Sequence, residues 1–329
     1  MIMVKTPICI LTADNKPLND LILQRIKSVT VTDNRANEAD QLDIVLDDSD
    51  GVLELPRRGV KINCQLGFEG EGLHDKGDFI VDETEWSGTP DTITIKASSA
   101  NFKSNIKEAK SKSFHRKSFG EIAAEIAQNH NLTLVMTTDL KSINLNHIDQ
   151  TNESDLNLLV RISKQNGAEM AVKKDRLLIF KAGSAKTASG KDLPSVMLTR
   201  NDGDQFRYSE QDRESDHTGV SASYHDTGKA KRETVTAGTE GKVKKLKGTF
   251  ANKEEADRAS KAKMDEIKRQ MAKFNITTAF GIPSISTESP VKLDGFKPQV
   301  DKLKWIVEKA THSYSTSGLT MQLELEANV

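Results

Sequence analysis

The run that closes the chain constrains the fold most. Leu319, Met321, Leu323, Leu325 and Ala327 alternate without exception with Thr320, Gln322, Glu324 and Glu326. Successive side chains of an extended strand point to opposite faces, so this run buries one face and wets the other. The same period recurs at Val29 and Val31, at Leu42, Ile44 and Leu46, at Ile62, Cys64 and Leu66, and at Ile93, Ile95 and Ala97. Half-buried strands of this kind belong to antiparallel barrels or sandwiches. Asp50-Gly51 and Gly70-Glu71-Gly72 supply turn chemistry between them.

From about residue 101 the period changes. Ser118 with Glu121 forms a capping box, followed by Phe119, Ile122, Ala123 and Ile126 at helical spacing. Leu132 to Val135 reads as a strand. A second helix is expected from Ser154 to about Gln165, with Leu156, Leu159 and Val160 inward and Gly167 near its end. Leu177 to Phe180 reads as a buried strand. Lys181 to Lys191 has linker composition, and strands resume near Val196 and at Val220 to Tyr224. Asn252 with Glu255 caps a third helix, whose buried edge is expected to be Ala256, Ala259, Ile267, Met271 and Phe274. Trp305-Ile306-Val307 begins another strand. The class is therefore α+β, mainly β. The division is a β-domain over 1–100, an inserted α/β domain over 101–182, and a second β-domain over 183–329 with a basic loop at 228–248 and an outer helix at 252–274. No period of 20–50 residues recurs, so the chain is not a solenoid.

The 329 residues suffice for two to four domains. A formal net charge of −1 gives no overall field toward nucleic acid or membrane. Cys9 and Cys64 form no CxxC pattern and lie in apolar strand-like stretches, which predicts buried free thiols. The start of the chain lacks the pattern of a signal peptide, and no run approaches the roughly 18 apolar residues of a membrane span.

Motifs that carry chemistry are missing from the sequence. There is no GxSxG, HExxH, Walker or GxGxxG pattern. Asp47 to Gly51 fails as a calcium loop, because registering Gly51 on the loop glycine puts Leu46 first and Arg57 last; a solvated turn is expected. His217 and His225 have no third ligand at metal spacing. Glu153 and Asp155 stand at a helix start, where carboxylates favour the dipole and cap backbone amides. No catalytic residue, metal ligand or cofactor is expected. The remaining candidates are charged segments. Lys229, Lys231, Arg232, Lys242, Lys244, Lys245 and Lys247 face only Glu233 and Glu240 within 228–247, a stretch with no aromatic residue to stack a base. Residues 33–54 carry Asp33, Glu38, Asp40, Asp43, Asp47, Asp48, Asp50 and Glu54 against Arg35 alone. The basic stretch is expected to be a partner interface, and pairing with the acidic stretch of a neighbouring copy would fix register by complementarity.

Gln150-Thr151-Asn152-Glu153-Ser154-Asp155-Leu156-Asn157-Leu158-Leu159-Val160-Arg161-Ile162, followed by Gly167-Ala168, resembles the ESDL helix of tail hub proteins. That helix occurs in the late-control protein D family of contractile-tailed phages, and is similar to one in the valine-glycine-repeat spike proteins of type VI secretion. Phe79 to Glu83, Lys112 to His115, Tyr208 to Glu210, Thr218 to Tyr224, Trp305 to His312 and Gly318 to Met321 extend the resemblance, which runs from about residue 20 to the C-terminus. It implies two tail-tube-like β-barrels per chain with a small inserted domain, and a homotrimer. Such a trimer is an adapter joining the six-fold tail tube protein to a three-fold spike protein, with the tape measure and other baseplate proteins as further partners. Because the chain closes on a strand-like run, a spike carried by a separate polypeptide is expected. Its place would be the virion baseplate, assembled in the host cytoplasm, with no membrane span and no specific nucleic-acid binding. A tailocin or type VI-like hub is the structural competitor. A cell-wall hydrolase would need paired carboxylates in a cleft, which no segment suggests.

Overall fold

The alternating runs do not form two separate sheets. In the computed structural model, which describes residues 5–35, 38–99, 104–210, 217–226 and 228–328, they line up in one sheet of 13 strands. Its path is Gly203–Glu210, Ala272–Thr278, Gly318–Ala327, Trp305–Ser315, Ile26–Asn34, Gln41–Asp47, Thr92–Ser98, Gly72–Ser87, Lys61–Phe68, Pro7–Ala13 and Lys16–Pro17. Val196–Thr199 and Pro290–Asp294 pair in parallel beside it, and the second of these also pairs with Trp305–Ser315. At the middle of the path, Thr311 stands opposite Thr32 and His312 opposite Val31. That antiparallel seam joins strands from the two ends of the chain.

Each half of the sheet has its own core. Val29, Val31, Leu42, Ile44, Leu46, Cys64, Leu66, Phe79 and Ile93 fill the first. Phe274, Ile276, Trp305, Val307, Met321, Leu323 and Leu325 fill the second. Val29, Val31, Leu42, Ile44, Leu46, Cys64, Leu66, Ile93, Met321, Leu323 and Leu325 sit at the apolar phase of the alternating runs, which is why the period of two located those strands. The Trp305 ring packs against Phe274 and Tyr208, and its Nε1 donates to Val300 O at 3.0 Å, so the largest buried side chain leaves no orphan polar atom. Leu319 belongs to the first core although its strand belongs to the second half, which knits the two halves across the seam.

The first insertion folds around the antiparallel pair Ala109–Ser118 with Asn144–Ser154, a three-stranded sheet of Ala168–Lys173, Arg176–Lys181 and Thr133–Met136, and the helices Phe119–Asn129 and Asp155–Gln165. Both halves of the Ser118–Glu121 capping box are made. Ser154 caps the second long helix, with Gly167 at φ +66° just beyond its end. The inward face of that helix is Leu158, Leu159 and Ile162, with Leu156 and Val160 only partly buried; the expected stripe was rotated. The expected boundary at 100/101 falls outside the described residues.

Two expectations for the third segment are corrected. The 228–248 stretch is ordered as the strands Lys231–Gly238 and Val243–Lys245, which flank Gly219–Asp226 in a sheet of their own. The outer helix runs Lys253–Gln270 and stops short of 274. Met271 is exposed, and Phe274 is buried in the strand Ala272–Thr278. The apolar spacing there matches either period, but Phe274 and Ile276 pair with Leu325 and Leu323 of the closing strand, and that pairing decides it. The helix lies on the small sheet through Ala256, against Ala222 and Tyr224.

Candidate assembly interface

The parts meet around buried charge. Arg35 follows the seam strand Ile26–Asn34 and its side chain is 11% exposed. Its Nε lies 2.6 Å from Glu288 Oε1 and 3.8 Å from Glu169 Oε1, and Nη1 bonds Glu326. Arg269, from the helix Lys253–Gln270 that together with the small sheet of Gly219–Asp226, Lys231–Gly238 and Val243–Lys245 makes up a second insertion, reaches Glu326 at 3.3 Å. One guanidinium thus ties the first half of the sheet to the first insertion through Glu169, and to the second half through Glu288 and Glu326. Burial pushes the Glu169 carboxyl up to about 7 even though Arg35 pulls it down. Burial likewise raises Glu288. The side chains of these two arginines and three carboxylates are each less than a fifth exposed, so each charge depends on the others.

A second cluster lies on the other side of the seam. Lys173, at the end of Ala168–Lys173, holds Asp33 at 2.7 Å and Asp40 at 2.9 Å. Burial opposes ionisation of Asp33, but Lys173 more than offsets it and its carboxyl falls below the usual range. Burial, with the neighbouring Asp33 charge, raises Asp40 to about 6 against the pull of Lys173. Beside them Lys76 Nζ bonds His312 Nε2 at 2.8 Å and Ile285 O at 3.1 Å. Burial lowers Lys76 to about 8 and His312 to about 3, so His312 is the neutral acceptor.

The sheet ends with two edges. Among the described residues, Gly203–Glu210 pairs only with Ala272–Thr278, and Pro7–Ala13 meets Lys61–Phe68 on one side and only the two-residue strand Lys16–Pro17 on the other. Phe206 and Ile10 on these edge strands are 43% and 40% exposed. Unpaired edges with apolar side chains are templates for another chain.

The comparisons with known proteins bear on the same architecture. The family model described as phage tail baseplate hub (GPD) matches residues 82–318. The chain belongs to the phage tail baseplate hub family. It is 39% identical to the probable baseplate hub protein of Escherichia phage 186, over 98% of this chain and 93% of that one. It is 37% identical to the probable baseplate hub protein of Escherichia phage P2, over 98% and 94%. Among solved structures, the tail protein of Neisseria meningitidis MC58 is similar at a TM-score of 0.71 and 11% identity, covering 98% of this chain and 96% of that one. The 43 kDa tail protein of prophage MuSo2 from Shewanella oneidensis gives 0.69 and 16%, covering 96% and 97%. A type VI secretion component of Escherichia coli shares the fold at 0.57 and 9%, covering 97% and 77%. The hub is thus a structural component of the virion tail, as the ESDL helix and its companion stretches imply.

All seven basic residues of the expected interface lie on the hub's second insertion. Lys231 and Arg232 are on Lys231–Gly238, Lys244 and Lys245 on Val243–Lys245, with Lys229, Lys242 and Lys247 flanking them. All are exposed except Lys244, which is half-buried. Lys229 pairs with Glu233 at 3.0 Å. Half of the eight carboxylates of the acidic stretch are held within the chain by these partners: Asp33 and Asp40 on Lys173, Asp50 on Arg25, and Asp48 on the Leu53 amide. Asp47 to Gly51 is a turn, with Gly51 N bonding Asp48 O at 2.8 Å. Glu153 and Asp155 do more than favour a helix dipole. Glu153 pairs with Arg161 at 2.7 Å, and buried Asp155 accepts from Lys110, His130 and Gln150. Arg35 was visible in the sequence only as the lone cation of an acidic stretch. Its partners at 169, 288 and 326 are too distant in the chain for any spacing rule.

Proposed function

We propose that the hub works as a trimeric adapter of a contractile tail, mating the six-fold tail tube to a three-fold spike. The observation that carries this is the sheet itself. One chain sets two β-modules side by side in one sheet, joined by the seam between Ile26–Asn34 and Trp305–Ser315. Three such chains present six modules, the number a six-fold tube requires, while the whole keeps three-fold symmetry for the spike. The edges at Gly203–Glu210 and Pro7–Ala13 differ from each other, so a contact between them is heterologous and closes only as a ring. The tail-tube-like barrels then arise by each module curling and by ring closure. The basic sheet of the second insertion faces a neighbouring copy or another baseplate protein.

The adapter's contribution is interface area and a match of symmetries. Light scattering after size exclusion, on the chain at micromolar concentration, tests it. A particle three times the 36.3 kDa chain mass is expected. A stable dimer or tetramer refutes the proposal. If the chain alone is monomeric, the same measurement with the tail's spike present must yield three hub copies.

A further inference from the structure

One arrangement on the first insertion has no part in assembly as described above. In the antiparallel pair Ala109–Ser118/Asn144–Ser154, His147 stands directly opposite His115. Both side chains are exposed. Their Nδ1 atoms are 3.0 Å apart and their ring centroids 4.6 Å. His147 Nε2 lies 2.8 Å from Asp149 Oδ2, and Ser113 Oγ donates to Asp149 Oδ1 at 2.6 Å. An ionised carboxylate only accepts, so His147 Nε2 carries a proton, and in the neutral ring Nδ1 is a bare lone pair facing His115.

Metal-bound histidines have this form: the ring nitrogen away from the metal donates to a carboxylate, which fixes the tautomer and strengthens the ligand. The distance fits too. With metal–nitrogen bonds of about 2.0–2.1 Å, two ligands at a right angle lie about 2.9 Å apart and two at the tetrahedral angle about 3.4 Å. The observed 3.0 Å matches adjacent ligands of a square-planar or tetragonal ion. We propose that His115 and His147 form a two-ligand surface site for a divalent transition metal, copper or nickel before zinc, bound through both Nδ1 atoms. Asp149 is the positioning carboxylate. Among the described residues no group of three or more His, Cys, Asp or Glu side chains converges on a metal position, so water completes the coordination. The exposure of both rings leaves room for that water. Thirty-two residues separate the two ligands in the sequence, and only the strand pairing brings them together.

Titrating the full-length hub with Cu²⁺ and with Ni²⁺ at neutral pH, by calorimetry and by electron paramagnetic resonance for copper, tests the site. One equivalent is expected to bind, with two nitrogen donors in the copper spectrum. His115→Ala and His147→Ala should each abolish that equivalent, and Asp149→Asn should weaken it roughly 10–100-fold. Both histidines are exposed, and circular dichroism checks that the variants keep their fold. Two independent variants keep the test sharp should one misfold. Wild-type stoichiometry and affinity in a folded histidine variant, or no binding by the wild type, would show that the pair is only a hydrogen bond between two imidazoles.

Discussion

Replacing Arg35 by Met removes one charge and keeps much of the volume. Three carboxylates, of Glu169, Glu288 and Glu326, then share the junction with Arg269 as the remaining cation of the cluster. The side chains of Glu288 and Glu326 are 3% and 4% exposed, so both carboxylates lose their partner where they have little contact with solvent. Leaving a buried ion without its partner costs about 3–5 kcal/mol. For a chain of 329 residues unfolding as one unit, with an unfolding entropy of about 2.1 cal/mol/K per residue, that lowers the melting temperature by roughly 4–7 °C. The loss should depend on pH. Glu169, pushed up to about 7 from an unfolded value near 4.3, binds a proton in the folded state across that window. Its contribution to stability is therefore fully present below the window and lost as pH rises through it. Without Arg35 the carboxyls rise further, so the deficit is largest at pH 8 and shrinks toward pH 5.5. Scanning fluorimetry of wild type and variant at pH 8 and 5.5 reads this directly. Arg35→Met with Glu169→Gln should recover part of the loss, since Gln carries no charge to bury. A deficit under about 1 kcal/mol at pH 8, or one equal at both pH values, would refute the view that Arg35 holds the parts together electrostatically.

Other expectations follow from the same packing. Gly67→Ala should destabilise by roughly 1–3 kcal/mol, because a Cβ there overlaps the backbone carbonyl oxygen of Gly72, which cannot move without breaking the hairpin; urea unfolding measures it. Asp155→Asn should cost about 1.5–3 kcal/mol at pH 7, the scale of hydrogen bonds to a charged group. Burial opposes ionisation of Asp155, but Lys110, His130 and Gln150 outweigh it and lower its pKa, so the native stabilisation is present above about pH 4 and lost as pH falls through the depressed folded value. The variant's deficit should vanish in acid, as pH-dependent unfolding would show. Reversing Lys244 and Lys245 to Glu should impair assembly while leaving the chain folded, read by particle mass and by tail formation in complementation; unchanged assembly would remove the basic sheet from the list of interfaces.

The strands were legible because their cause is local. Val29 and Val31, or Leu323 and Leu325, declare their buried face within a few residues, and the Ser118–Glu121 box announces its helix just as locally. The ESDL helix carried the family by the same token, since a contiguous run survives as a pattern. The end of the third helix was misplaced because Phe274 fits either period, and the partner that decides lies about fifty residues away. The joining of two β-modules through Val31 and His312, the hold of Arg35 on Glu169, Glu288 and Glu326, and the meeting of His115 with His147 were decided by tertiary structure alone. Local sequence determines which face of an element is apolar. Which element that face meets depends on chain closure over hundreds of residues, and no periodicity encodes it.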